Sequence, residues 1–219
     1  MEKAALLFDL NGTMIDDMDF HIRAWHHILN NLGAILSLEE VKYQCYGKNE
    51  ELLERIFPGR FTLEEMKLMI ARKEAGYREV FRPYLRLIDG LDVFLQQSKE
   101  ENRPMGIGSA ALPENIDYVL DGLSIRHYFN TITSAVDVKF SKPHPETFLT
   151  CAKCLGVEPA ECIVFEDAPK GVEAAEKAGM RCVVLTTTHP ESDFAYYRNV
   201  ITFIKDYKIL MDTHWLKEF

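Results

Sequence analysis

Residues 3–13 read KAALLFDLNGT. The apolar run that ends at Phe8 is short and unbroken, the pattern of a strand buried on both faces. A carboxylate, Asp9, stands where the run stops, and Asn11 follows two residues later. A charge at the end of a buried strand is costly unless something compensates it. Asp9 therefore marks a place where the fold spends stability on chemistry, and the amide at position 11 asks why its neighbour is not a second acid.

Outward from this stretch the pattern changes twice. Residues 16–32, DDMDFHIRAWHHILNNL, space Phe20, Ala24, Ile28 and Leu32 near helical intervals, with Trp25 and Leu29 beside them. Ser37-x-x-Glu40 and Thr62-x-x-Glu65 are capping boxes that open further helices, and Asn49 is expected to cap another between them. Residues 17–85 are thus predicted to be helical throughout. After Arg86 short strands and helices alternate: a helix at 91–100, then strands at 104–108, 131–134, 162–166, 182–186 and 200–204 separated by helices from Pro113, Pro145 and Lys170. Strand–helix alternation predicts β-α-β crossovers and a parallel sheet covered on both faces. The expected fold is α/β: a Rossmann-like doubly wound parallel sheet with an inserted all-helical cap subdomain. The core is discontinuous, 1–16 plus 86–219, and the cap is 17–85.

The 219 residues suffice for one large domain with an insertion, and 47% apolar with 27% charged residues is ordinary for a soluble globular chain. A net charge of −9 argues against nucleic acid as a partner. No stretch approaches the roughly 18 apolar residues of a membrane span, and no signal peptide is recognised. Five cysteines, an odd number, predict free thiols and a cytoplasmic location. Cys151 and Cys154 form a C-x-x-C without a second pair at zinc spacing and read as structural thiols in mid-helix. A monomer or weak dimer is expected.

In an open parallel sheet ligands bind beyond the carboxyl ends of the strands. The predicted strand ends deliver Asp9 and Asn11, Ser109 and Ala110, Lys142 within FSKP, and Glu166 with Asp167. Singly each reads as a solvated loop residue or a helix cap. Together, three acids, a hydroxyl and a lysine would converge on one rim. Acids crowded in this way repel unless a cation or protonation relieves them, and hard oxygen ligands favour Mg²⁺. A lysine and backbone N–H groups beside such an ion suit a phosphoryl group, towards which a carboxylate can act as nucleophile. The run Gly106-Ile-Gly108-Ser-Ala-Ala111 also fits a G-x-G-x-x-A dinucleotide fingerprint. Its glycines fall inside the predicted strand, however, and no acid ends a second strand about 20 residues on.

FDLNGT, the Ser109 strand end, Lys142 in SKP and EDAPKG (166–171), in this order over essentially the whole chain, resemble the four motifs of the haloacid dehalogenase superfamily. DxxxFHxRAW (16–25), SKPHPETF (141–148) and EDAPKGVEAAEKAG (166–179) are most similar to its β-phosphoglucomutase-like phosphatase branch. The resemblance implies Asp9 as nucleophile and Mg²⁺ held by Asp9, the Asn11 carbonyl and Asp167, with Glu166 at or near the ion. It implies Ser109 and the Ala110 N–H as phosphoryl ligands and Lys142 as charge neutraliser. Gly12 and Thr13 would shape the turn. Cap residues His21, Lys48 and Lys73 would face a small phosphorylated metabolite.

Two departures stand out. The family's phosphatases and mutases usually carry Asp at position 11 as general acid and base, and an amide does neither. Asn11 is compatible with a natural variant that uses good leaving groups or another base such as His21, with an engineered trap, or with a protein of little turnover. The mutases hold a second phosphate on a basic cap loop, whereas Tyr46-Gly-Lys-Asn-Glu50 offers only Lys48. A Mg²⁺-dependent phosphohydrolase working through an aspartyl-phosphate is therefore the expected function. A sugar phosphomutase and a catalytically weak phosphate-binding module are the alternatives.

Overall fold

The computed structural model describes residues 3–212. Six strands, β1 (Ala5–Phe8), β2 (Met105–Gly108), β3 (Thr131–Thr133), β4 (Cys162–Glu166), β5 (Arg181–Leu185) and β6 (Val200–Ile204), form one sheet in the order β3-β2-β1-β4-β5-β6. Every pairing is parallel. β1 is central and all four of its residues are buried, which is why it shows no polar alternation.

The remaining helices of this unit are α5 (Leu91–Glu100), α6 (Pro113–Gly122), α7 (Glu146–Leu155), α8 (Pro169–Lys177) and α9 (Lys208–Asp212), numbered after the four that precede them: α1 (Met18–Asn31), α2 (Leu38–Gln44), α3 (Asn49–Ile56) and α4 (Leu63–Phe81). On one face of the sheet, Ala5, Leu7 and Val164 pack with Phe148 and Cys151 of α7 and Val172 of α8. On the other, the Phe8 ring stacks on Phe165 at 4.7 Å and meets Phe94 of α5 edge-on at 6.4 Å, with Tyr207 beside them. Alternate residues of β1 thus feed two separate cores, as the period of a strand requires.

The chain divides into two compact units, 1–16 with 86–219, and Asp17–Leu85. The second is helical, with Ile22, Trp25, Leu29, Val41, Leu53 and Ile70 among its buried residues. Both capping boxes are formed: Ser37 Oγ accepts from the Glu40 N–H at 3.2 Å and Thr62 Oγ1 from the Glu65 N–H at 3.3 Å. Two local expectations are corrected. Lys48, not Asn49, occupies the cap of α3: its backbone is extended and Asn49 is already the first helical residue, its amide donating to Glu74 Oε1 at 2.8 Å. The buried face of α1 is Ile22–Trp25–Leu29, and Phe20, Ala24 and Ile28 are only partly covered, so the face is rotated towards the indole.

Candidate active site

The sheet register brings the strand ends to one level. Phe8 is aligned with Ile107 of β2 and with Phe165 of β4, so Asp9, Ser109 and the Glu166–Asp167 pair follow at the same edge. All four side chains are buried. Lys142 arrives from the segment between β3 and α7. Its ammonium donates to Asp9 Oδ1 at 2.5 Å and to Glu166 Oε1 at 2.8 Å, 4.5 Å above the Phe148 ring.

The second oxygen of Glu166 turns to the start of α8, where it accepts from the N–H groups of Asp167 and Ala168, both at 2.8 Å. Two backbone donors at a helix N-terminus are a natural seat for a carboxylate. Gly171 leaves the room for it: a Cβ there would lie 1.7 Å from Glu166 Oε1. Asp167 points the other way, towards the turn after β1. Its Oδ1 accepts from Thr13 Oγ1 at 3.1 Å and its Oδ2 from Thr188 Oγ1 at 2.5 Å. Gly12 has φ +72°, and a Cβ on it would meet Asp167 Oδ2 at 2.2 Å. Glycine is required at position 12 both by its backbone and by the carboxylate packed on it.

Electrostatics follow from this crowding. Burial pushes the Asp9 carboxyl up to about 7; Lys142 opposes the shift and Glu166 adds to it. Burial, then the charges of Glu166 and Asp9, raise Asp167 well above the usual carboxylate range against the pull of two hydroxyls. Burial works against the Lys142 charge, but Asp9 and Glu166 more than offset it, so its pKa lies above the ordinary lysine value.

The lysine stands between Asp9 and Glu166. Among the described residues no group of three or more His, Cys, Asp or Glu side chains is arranged as a metal cage. Asp9 and Asp167, both buried at this edge, are the carboxylates that could offer oxygens to a cation. Both carboxylates are lifted by burial and by the acids around them, so a hard divalent cation is chemically suited to them.

Ser109 lies on the β2 side, its N–H donating to the Thr133 carbonyl and its Oγ accepting from the Ala111 N–H at 3.1 Å, with Ala110 between them half-buried. The glycines of the apparent dinucleotide fingerprint have a different use. A Cβ at Gly106 would lie 2.6 Å from Cys151 Sγ, and one at Gly108 would lie 3.0 Å from the Phe148 ring. They let α7 pack on β2. Cys151 is buried there, as a buried or semi-buried structural thiol should be, whereas Cys154 on the same helix is exposed; no described cysteine forms a disulfide.

The expected residues of the helical unit belong to a network of their own. Lys73, buried in α4, donates to Glu74 Oε1 at 2.9 Å and contacts His21 Nδ1 at 2.5 Å. His21 Nε2 lies 3.3 Å from Asp17 Oδ2, and the Tyr77 hydroxyl donates to the same carboxylate. An ammonium has no lone pair to offer, so Nδ1 accepts and Nε2 carries the proton. Trp25 and Tyr77 flank the ammonium at 5.3 and 5.8 Å. Burial lowers the Lys73 pKa, and Glu74 resists the shift. The Lys48 N–H donates to Glu51 Oε2 at 3.0 Å at the start of α3. Thr187, Thr188 and His189 escaped the sequence reading. They follow β5 after Thr186, so reading that strand end like the others would have found them.

Among the described residues no helix is long and apolar enough to cross a membrane. A family model described as haloacid dehalogenase-like hydrolase matches residues 6–185. A fructose-1-phosphate phosphatase of Escherichia coli is 32% identical over 184 residues, covering 82% of this chain and 95% of its own. A β-phosphoglucomutase of Bacillus subtilis is 32% identical over 186 residues, 82% of this chain and 81% of its own. The crystal structure of a β-phosphoglucomutase from Clostridium difficile superposes with a TM-score of 0.85 at 26% identity, covering 99% of this chain and 98% of the other. The chain therefore belongs to the haloacid dehalogenase-like hydrolases, as an enzyme similar to their phosphatases and phosphomutases.

Proposed function

We propose that the protein is a Mg²⁺-dependent phosphohydrolase of small sugar or polyol phosphates, in which the sheet unit is the catalytic core and the helical unit its cap. The carrying observation is the Asp9 carboxylate at the end of the central strand, held by Lys142. Asp9, Asp167 and the Asn11 carbonyl would hold the ion. Bound there, it would supply positive charge against the substrate's phosphoryl oxygens. Glu166 has one oxygen on Lys142 and the other on two backbone N–H groups, which favours a role in fixing the lysine.

Asp9 attacks phosphorus, a P–O bond forms to its carboxylate, and the ester P–O bond breaks with its electrons on the departing oxygen. Lys142 offsets the charge between nucleophile and phosphoryl group, and Ser109 with the Ala110 N–H orients the phosphoryl oxygens. Water then cleaves the aspartyl-phosphate, restoring Asp9 and releasing phosphate. Asn11 has no acidic proton to give the leaving oxygen and no basicity to take one from water. That loss costs about 10²–10⁴-fold, or roughly 3–5 kcal/mol of barrier, and falls most heavily on poor leaving groups.

The loop after α2 argues against a mutase. Its nearby cation, Arg55, stacks over Tyr46 at 4.0 Å and donates to the carbonyls of Gln44 and Tyr46, so it serves the loop itself. Both His21 ring nitrogens are engaged inside the helical unit, which weakens it as a substitute base. Asn11 keeps a second reading in view, a phosphate-binding module with little turnover.

The test is phosphate release from acetyl phosphate, p-nitrophenyl phosphate and a panel of sugar phosphates, with and without Mg²⁺. The wild type is expected to favour the first two. Asp9→Asn should abolish turnover, and Asn11→Asp should raise sugar-phosphate hydrolysis by about 10²-fold or more. Activity retained by Asp9→Asn would refute the nucleophile. Inertness of wild type and Asn11→Asp alike would favour the binding module.

A further inference from the structure

We propose that Thr187 and Thr188, side by side after β5, are positioning residues for the divalent-cation site, Thr187 by fixing the turn after β1 and Thr188 by fixing the Asp167 carboxylate. This rests on the reading of that site given above. Thr187 Oγ1 donates to the Gly12 carbonyl at 2.5 Å, across 175 residues of chain. Thr188 Oγ1 lies 2.5 Å from Asp167 Oδ2. The two hydroxyls therefore act on opposite sides of one contact, since Asp167 Oδ2 is the atom packed against Gly12.

The turn is constrained on every side. The Gly12 N–H donates to the Ile15 carbonyl at 2.8 Å, and the buried Tyr207 hydroxyl donates to the Thr13 carbonyl at 3.1 Å. The Asn11 carbonyl shares a peptide plane with the Gly12 N–H, so the bond to Ile15 sets its direction, and partners from beyond β5 on the carbonyls of residues 12 and 13 hold the turn in which that bond is made. A threonine hydroxyl has one proton. Thr188 Oγ1 also lies 2.9 Å from the Asp167 carbonyl and 2.9 Å from His189 Nδ1, and that nitrogen is 3.2 Å from the same carbonyl. With the proton on Nδ1, His189 serves the carbonyl and the Thr188 proton is left for the carboxylate. Thr13 holds the other oxygen. Each carboxylate oxygen has two lone pairs, so one hydroxyl apiece orients the group and leaves it able to bind a cation. Outer partners of this kind fix ligand direction, and their loss typically weakens metal binding by about 10–100-fold.

The experiment is Mg²⁺ titration of the 219-residue chain by isothermal titration calorimetry, independent of turnover. Thr188→Val is expected to bind Mg²⁺ about tenfold or more weakly than wild type, and Thr188→Ser, which keeps the hydroxyl, to within about twofold. Thr187→Val carries the same expectation as Thr188→Val and decides the matter if the latter does not fold. Wild-type affinity in both valine proteins would overturn the proposal, as would a serine protein as weak as the valine one. A wild type that binds no Mg²⁺ would instead refute the cation reading on which the proposal stands.

Discussion

Asp9 holds its proton more tightly in the folded chain than in the unfolded one, because burial disfavours its charge and the ordinary value of 3.8 is pushed up to about 7. Between those values the folded state keeps a proton that the unfolded state has released, so raising the pH removes stability across that window. Asp167 is shifted in the same direction. Carboxylates held below their ordinary range, such as Glu40 and Asp89, act in the opposite sense at the acidic end of that window but are ionised in both states above about pH 5.5 and do not contribute there. In EDTA the melting temperature should therefore fall between about pH 5.5 and about pH 7, and added Mg²⁺ should restore more of it at the higher pH. Scanning calorimetry checks this; a melting temperature that rises with pH would contradict the compensation described for the site.

At the scale of elements, glycine shows how packing overrides composition. Gly106 lies in β2, where a Cβ would come within 2.6 Å of Cys151 Sγ and 2.9 Å of Thr131 Cγ2. Gly76 lies on the exposed side of α4 with nothing within 4 Å of the same position. Gly106→Ala should destabilise by about 1–3 kcal/mol through overpacking. Gly76→Ala should stabilise by about 0.4–1 kcal/mol by restricting the unfolded chain. Urea unfolding distinguishes the two signs. The strands were legible in the sequence because β1, β2 and β4 are short apolar runs buried on both faces. The capping boxes at Ser37 and Thr62 were legible because they are local. The buried face of α1 was misread because periodicity alone does not say whether Phe20 or Ile22 meets the neighbouring helices.

For the molecule as a whole, thiol chemistry reports whether both units are packed. Burial pushes the thiols of Cys45 and Cys162 up to about 11 and that of Cys151 up to about 12, and raises Cys182 as well, whereas Cys154 is exposed. Since the thiolate is the reactive form, Ellman's reagent should find one fast thiol in the native protein and all five in denaturant. Cys154→Ser should remove the fast phase; a fast phase that survives it would show that the half-buried Cys45 or one of the cores is open to the reagent.

The amino-acid sequence by itself determined the order of strands and helices, the helical insertion, and the placing of Asp9, Ser109 and the Glu166–Asp167 pair at strand ends, since each depends on neighbours a few residues away. Only the tertiary structure decided which group answers which charge. Lys142 reaches Asp9 across 133 residues, and Thr13 reaches Asp167 across 154. Such contacts depend on how parallel strands are registered and on what a glycine leaves open beside them. No local spacing encodes that: the end of β5 marks Thr187 and Thr188 as candidates, but only the fold shows that they answer Gly12 and Asp167.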